Sequence, residues 1–220
     1  MPRGSLVPPE RFLMRRFGSV RNGLTTLHRR WWPQRLDRLT AYLKELKREN
    51  TMSDFKVEVP GGDDLTVTMT RTFDAPRALV WKVMSEPQHI ARWWGAKSVS
   101  SKVLVKKHDM RVGGEWRFES HGHDGNVYVF VGKFLEIAPP EKVTQTFGME
   151  GMFEGKVIVE TLTLEDLGNG KTLYRNVSTY ESKEDRDGMI ASGMEVGARQ
   201  SLDQLEEILI EQQAAAQQQQ

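Results

Sequence analysis

The chain has 220 residues, 38% hydrophobic and 28% charged, with a net charge of +1 and no cysteine. These values fit one globular domain with an extension. They exclude disulfides, thiolate metal sites and cysteine nucleophiles, and no apolar run approaches the ~20 residues that cross a bilayer. The near-zero net charge conceals two kinds of chain. Residues 1–51 carry 12 Lys/Arg against 4 Asp/Glu, a net +8, and the remainder carries 19 against 26, a net −7.

The first thirty residues mix Pro, Gly and Arg without a sustained period and read as a disordered basic extension. Their basic residues are not followed by the continuous apolar stretch of a secretory signal, so the expected location is cytoplasmic. Trp32, Leu36, Leu39, Leu43 and Leu46 then recur at spacings of three and four, which predicts an amphipathic helix over about 33–48 with Pro33 in its first turn. Its apolar stripe is expected to pack on the main domain, to pair with the same helix of a second copy in a homodimer, or to stay frayed. No DNA-reading helix-turn-helix precedes it, so no specific nucleic-acid partner is expected, only nonspecific charge contact. Residues 52–64, with Pro60-Gly61-Gly62-Asp63-Asp64, read as a linker.

From Leu65 the pattern changes to period two. Leu65, Val67, Met69, Arg71 and Phe73 alternate with threonines, the signature of a half-buried strand. Asp74-Ala75-Pro76 stops that strand and opens a short helix with Leu79, Val80, Val83 and Met84 on one face. Ser85-Glu86-Pro87 restarts a second helix, ended by Gly95. Strands are predicted at about 100–107, 115–121, 126–137, 142–147, 156–166 and 171–180. Turns at Asp124-Gly125-Asn126, Pro139-Pro140 and Gly168-Asn169-Gly170 make them an antiparallel meander. Gly113-Gly114 and Gly132 are expected to let the sheet curl. Ser182 and Asp185 cap one long helix reaching about Gln212, with Ile190, Met194, Leu202, Leu205 and Leu209 as its core stripe and a frayed tail at 213–220. The domain therefore spans 65–212. Its class is α+β: a curved antiparallel sheet of six to seven strands wrapped around a long C-terminal helix, with two short helices after the first strand.

This order is that of the helix-grip fold, and the local words agree with it. Arg71-Thr72-Phe73-Asp74-Ala75-Pro76, Val80-Trp81, Ala91-Arg92-Trp93-Trp94-Gly95, Arg111-Val112-Gly113-Gly114-Glu115-Trp116-Arg117 and the run from Gly132 to Pro140 occur in sequence. Together they resemble the homologues of the C-terminal domain of the heat shock protein 90 ATPase activator, within the SRPBCC or START-like superfamily. The resemblance implies a domain that binds a small hydrophobic or amphipathic molecule between sheet and helix. It also admits two other roles: cofactor-free cyclisation or dehydration of polyketide-like substrates, and chaperone regulation in a stress response through the surface. The family's Gly-Trp in the last helix is here Gly197-Ala198, which enlarges or reshapes the cavity.

The cavity expected of this architecture is concave, mostly apolar and sparsely polar. Its candidate lining is Trp93, Trp94, Trp116, Phe118, Tyr128, Phe130, Phe147 and Tyr180, with Met189 and Met194 as adaptable side chains, Gly193 and Gly197 leaving room, and Arg175 available for a carboxylate. His121-Gly122-His123-Asp124 has metal-ligand residue types, but it runs into a hairpin turn, so no metal is expected. Glu119, Glu154, Glu160, Arg175, His89 and His108 are dispersed and would cooperate in acid–base chemistry only inside a shared cavity. The sequence contains no nucleophile elbow, phosphate loop or dinucleotide fingerprint. No catalytic residue and no cofactor are assigned.

Overall fold

The computed structural model describes residues 54–62, 64–151 and 156–218. The basic extension and its helix at 33–48 lie outside them, as does Glu154. The elements run β1 (Lys56–Glu58), β2 (Thr66–Phe73), α1 (Arg77–Ser85), α2 (Pro87–Trp93), β3 (Ser100–His108), β4 (Glu115–Gly122), β5 (Val127–Ala138), β6 (Lys142–Met149), β7 (Ile158–Gly168), β8 (Lys171–Thr179), α3 (Lys183–Ala191) and α4 (Met194–Gln217). All pairings are antiparallel, in the order β1-β2-β8-β7-β6-β5-β4-β3. The meander from β3 to β8 is therefore unbroken, and β2 joins its far end. No helix among the described residues is long and apolar enough to cross a membrane.

The strand count exceeds expectation by β1, which comes from the stretch read as a linker. Phe55, only 5% exposed, anchors it beneath the guanidinium of Arg199, 5.0 Å from the ring centroid. The Thr72 N–H reaches back to Asp54 Oδ2 at 2.8 Å. The turn residues that follow hid this short strand.

Alternation decides what faces the helices. Val67, Met69, Arg71 and Phe73 of β2 sit opposite Ser178, Asn176, Tyr174 and Thr172 of β8. Ile158, Glu160, Leu162 and Leu164 continue that face on β7, and Val143, Gln145 and Phe147 on β6. Trp116 and Phe118 of β4 meet Gly132 and Phe130 of β5. Gly132 matters for the curl: a Cβ there would stand 2.5 Å from the Trp116 indole and closer still to the Thr146 carbonyl oxygen. Beside it the Lys133 N–H bonds to Thr146 Oγ1 at 2.9 Å, and the β5–β6 register slips between Phe134 and Glu136. Only glycine lets the two strands and the indole approach so closely.

The last helix is not one piece. Ser182 caps α3, its Oγ accepting the Asp185 N–H at 3.1 Å. The chain then turns at Gly193, whose φ of 83° is left-handed and breaks the run before α4. Beyond the break α4 continues to Gln217, past the predicted end, because Ala and Gln residues extend a helix readily.

Replacement of Gly132 by Ala should lower the unfolding free energy by about 2–3 kcal/mol through overpacking against Trp116 and Thr146. Urea unfolding of the full chain measures this directly. A variant within a few tenths of wild type would show that the β5–β6 approach is not tight.

Candidate ligand site on the inner face

Two neighbourhoods of the inner face hold side chains that the core does not seal. In the first, Trp94, just past the end of α2, stands edge-on to Phe118 and Phe130 with ring centroids 5.3 and 4.7 Å away. Phe147 lies 5.8 Å from Phe130 and 6.0 Å from Trp116. Such contacts add about 0.5–1.5 kcal/mol each beyond area burial. Trp116 and Phe118 are buried, whereas Trp94, Phe130 and Phe147 stay half-buried. The buried Trp116 indole N–H has no hydrogen-bond partner among the described residues. His108 stacks on Phe118 at 6.2 Å, and burial lowers its pKa.

The second neighbourhood is polar. Glu160 lies between Gln145 of β6 and Ser178 of β8, its direct cross-strand partners. Gln145 Nε2 donates to Glu160 Oε2 at 3.3 Å and Ser178 Oγ to Oε1 at 3.5 Å. Asn176 gives Nδ2 to Ser178 Oγ at 3.4 Å and lies close enough to favour the charged carboxyl. These bonds are long. Burial pushes the Glu160 carboxyl above the usual carboxylate range, against the opposing pull of the three donors. Burial first, and then the charge of Glu160, push the Tyr180 phenol up to about 12 and raise that of Tyr174 further.

Opposite the sheet, the two halves of α4 differ. Every residue from 194 to 201 is half-buried. Further along, Leu202, Leu205, Ile208 and Leu209 are at most 3% exposed. Met194 packs against both apolar clusters of the interior, and Ala198 against the larger one. A Cβ on Gly197 would meet nothing within 4 Å.

The remaining residues singled out from the sequence are scattered. Arg175 is exposed, which corrects its assignment to the cavity: Tyr174 and Asn176 face inward, so strand alternation turns Arg175 to the outer surface. Tyr128 sits by the β4–β5 hairpin and donates to Asp124 Oδ2 at 2.7 Å. The Trp93 indole donates to the Val83 carbonyl at 3.1 Å, fixing α2 on α1. Tyr180 packs with Val67 and Ile158, and Met189 leans on that small cluster. Gly193 forms the helix break. Glu119 lies on the outer face 3.6 Å from Lys106, and His89 is buried in α2 3.5 Å from Glu86. His123 Nε2 lies 2.9 Å from the Lys97 carbonyl oxygen, and Asp124 accepts the Asn126 N–H at 3.0 Å, so the hairpin occupies these groups. No group of three or more metal-ligating side chains clusters among the described residues.

Glu160 was visible as a titratable residue, but Gln145, Asn176 and Ser178 were missed. The signal was phase: each is a polar residue in the apolar phase of its strand, Gln145 between Val143 and Phe147, and Asn176 and Ser178 between Tyr174 and Tyr180.

The family model described as activator of Hsp90 ATPase homolog 1-like protein matches residues 74–210, more than half of the chain. The chain belongs to this family. The match includes both neighbourhoods and stops short of β1 and β2. Solved structures share the fold. A protein from Arthrobacter aurescens is 28% identical over 71% of this chain and 91% of its own, with a TM-score of 0.64. One from Chromobacterium violaceum is 26% identical, covering 66% and 96%, at 0.58. A third, from Mycobacterium smegmatis, is 25% identical, covering 70% and 97%, at 0.61. No curated protein sequence matches the chain.

The raised carboxyl of Glu160 gives a signed expectation. Its contribution to stability is fully present below the ordinary value of 4.5 and is lost as the pH rises through the higher folded value. The Glu160→Gln variant should therefore gain in melting temperature relative to wild type between about pH 4 and about pH 8. An unchanging difference across that range would mean that the carboxyl is solvated.

Proposed function

We propose that this chain binds a small hydrophobic or amphipathic molecule between the inner face of the sheet and the N-terminal half of α4. One observation carries the reading. Phe130, Gln145, Phe147 and Met149 take inward strand positions yet keep water-accessible surface, while residues 194–201 of α4 are also half-buried. A side chain that faces the inside of a fold and is still reached by water borders space the core does not fill. The chemistry suits a ligand: aromatic rings, the adaptable Met189 and Met194, and one compact polar cluster.

Catalysis is the weaker reading. It needs two ionisable groups in one place, and the inward-facing Glu160 and His108 lie on β7 and β3, with β6, β5 and β4 between them. A surface contact with a chaperone, which the family's description suggests, is separable because it would not respond to changes inside the fold.

Titration with the fluorescent apolar probe N-phenyl-1-naphthylamine tests the proposal. Wild type should give saturable, blue-shifted emission from one site and a raised melting temperature. The Ala198→Phe variant, which projects a ring from α4 toward the sheet, should weaken uptake by about tenfold or more while melting cooperatively. Absence of saturable uptake by wild type, together with a loss of about 1–3 kcal/mol in Ala198→Phe, is what a solid core would give. That result would overturn the reading.

A further inference from the structure

We propose that Glu160, Gln145, Asn176 and Ser178 form the seat for a protonated amine, so that the ligand is an amphipathic molecule with a cationic amino head and an apolar body. This rests on the binding site proposed above and specifies its polar end. The four side chains come from three adjacent strands and converge on one carboxyl group. Gln145 donates to one of its oxygens and Ser178 to the other, and Asn176 stands behind Ser178, to which it donates. A carboxylate offers about four acceptor positions, so at least one is left for a ligand.

The donors decide the sign of the head. Neutral donors favour the ionised carboxylate, but burial outweighs them and holds the carboxyl toward its neutral form, since no lysine, arginine or histidine pairs with it among the described residues. The arrangement supplies everything a buried carboxylate needs except the counter-charge, and a ligand ammonium provides it with a charge-assisted hydrogen bond. An alcohol would leave the carboxyl without a counter-charge, and a fatty-acid head would place a second acid beside it, whereas an ammonium would draw it into the ionised form its donors favour. Position supports the same orientation. Phe147 lies two residues from Gln145 on the same face of β6, about 7 Å along the strand, and Phe130 lies beyond it. An apolar body extending from an amine at Glu160 would run onto these half-buried rings.

Isothermal titration of the full chain with decylamine, 1-decanol and decanoate at neutral pH reads the preference. Wild type should bind decylamine about tenfold or more tightly than decanol, the value of one hydrogen bond to a charged group, with decanoate weakest. In Glu160→Gln the amine-to-alcohol ratio should fall toward one. A second measurement needs no variant: intermolecular NOEs in labelled wild type should connect the decylamine α-methylene to the side-chain amides of Gln145 and Asn176. Equal affinity for amine and alcohol, a ratio unchanged in Glu160→Gln, or α-methylene NOEs confined to other residues would overturn the amine seat. If decanol binds as well as decylamine, the binding site stands and the seat fails. If no amphiphile binds, both fail.

Discussion

One helix has to cover the inner face of an eight-stranded sheet, and it is too narrow to do so. Strands spaced about 4.8 Å apart make such a sheet about 34 Å wide when flat, whereas a helix with its side chains is about 10–12 Å across. The sheet answers by curling at Gly132 and the β5 bulge, and α1 and α2 cover part of the remainder. What is left depends on where α4 is tied down. Ser98 donates to Gln200, Gln204 Nε2 reaches the Gly95 carbonyl at 2.7 Å, and Gln213 bonds to the Asp74 carbonyl. All these polar ties lie from Gln200 onward, as do the sealed leucines. Ahead of Gln200 the helix follows a glycine break and has no sealed residue.

Arg71 ties that helix to β2. It is 4% exposed and its guanidinium takes Asp203 and Glu206, one turn apart on α4, with its carbon close to the Phe73 ring. The guanidinium is buried while the two carboxylates stay about a third exposed, so solvent screens the attraction and the contact contributes direction more than stability. Such a contact acts as a registration device. It fixes which residues of α4 lie over the sheet, and so which part of the inner face is left to the half-buried residues 194–201.

Most of the fold was legible because each element announces itself locally. The threonine alternation of β2, the Asp74-Ala75-Pro76 stop, the hairpin turns and the Ser182 cap all act within a few residues. Some misses depend on partners distant in sequence and others on local detail that periodicity does not carry. β1 exists because Phe55 finds Arg199 and Asp54 finds Thr72. The helix break at Gly193 competes with good helix formers on both sides, and periodicity alone does not reveal it. Arg175 was a question of phase within one strand, and its neighbours Tyr174 and Asn176 answer it. At the site, the aromatic residues were evident from composition, and Trp94, Trp116, Phe118, Phe130 and Phe147 do come together. The polar cluster was not evident, because Gln145, Glu160, Asn176 and Ser178 meet only through strand pairing.

That cluster is also the feature that folding explains least. A carboxyl on the inner face, desolvated and held by bonds of 3.3–3.5 Å, is a poorer stabiliser than an apolar side chain of similar volume. Val67, Ile158 and Leu162 show what the same face accepts when only packing matters, since each is buried beside the cluster. Four polar residues in the apolar phase of three neighbouring strands therefore work against stability, on a face whose covering helix α4 has no fully buried residue before Leu202. Natural proteins tolerate such local costs mainly where binding requires them. The half-buried residues of the inner face and the misplaced carboxyl are independent observations, one about space and one about chemistry, and strand pairing sets Glu160 beside Gln145, two residues from the half-buried Phe147.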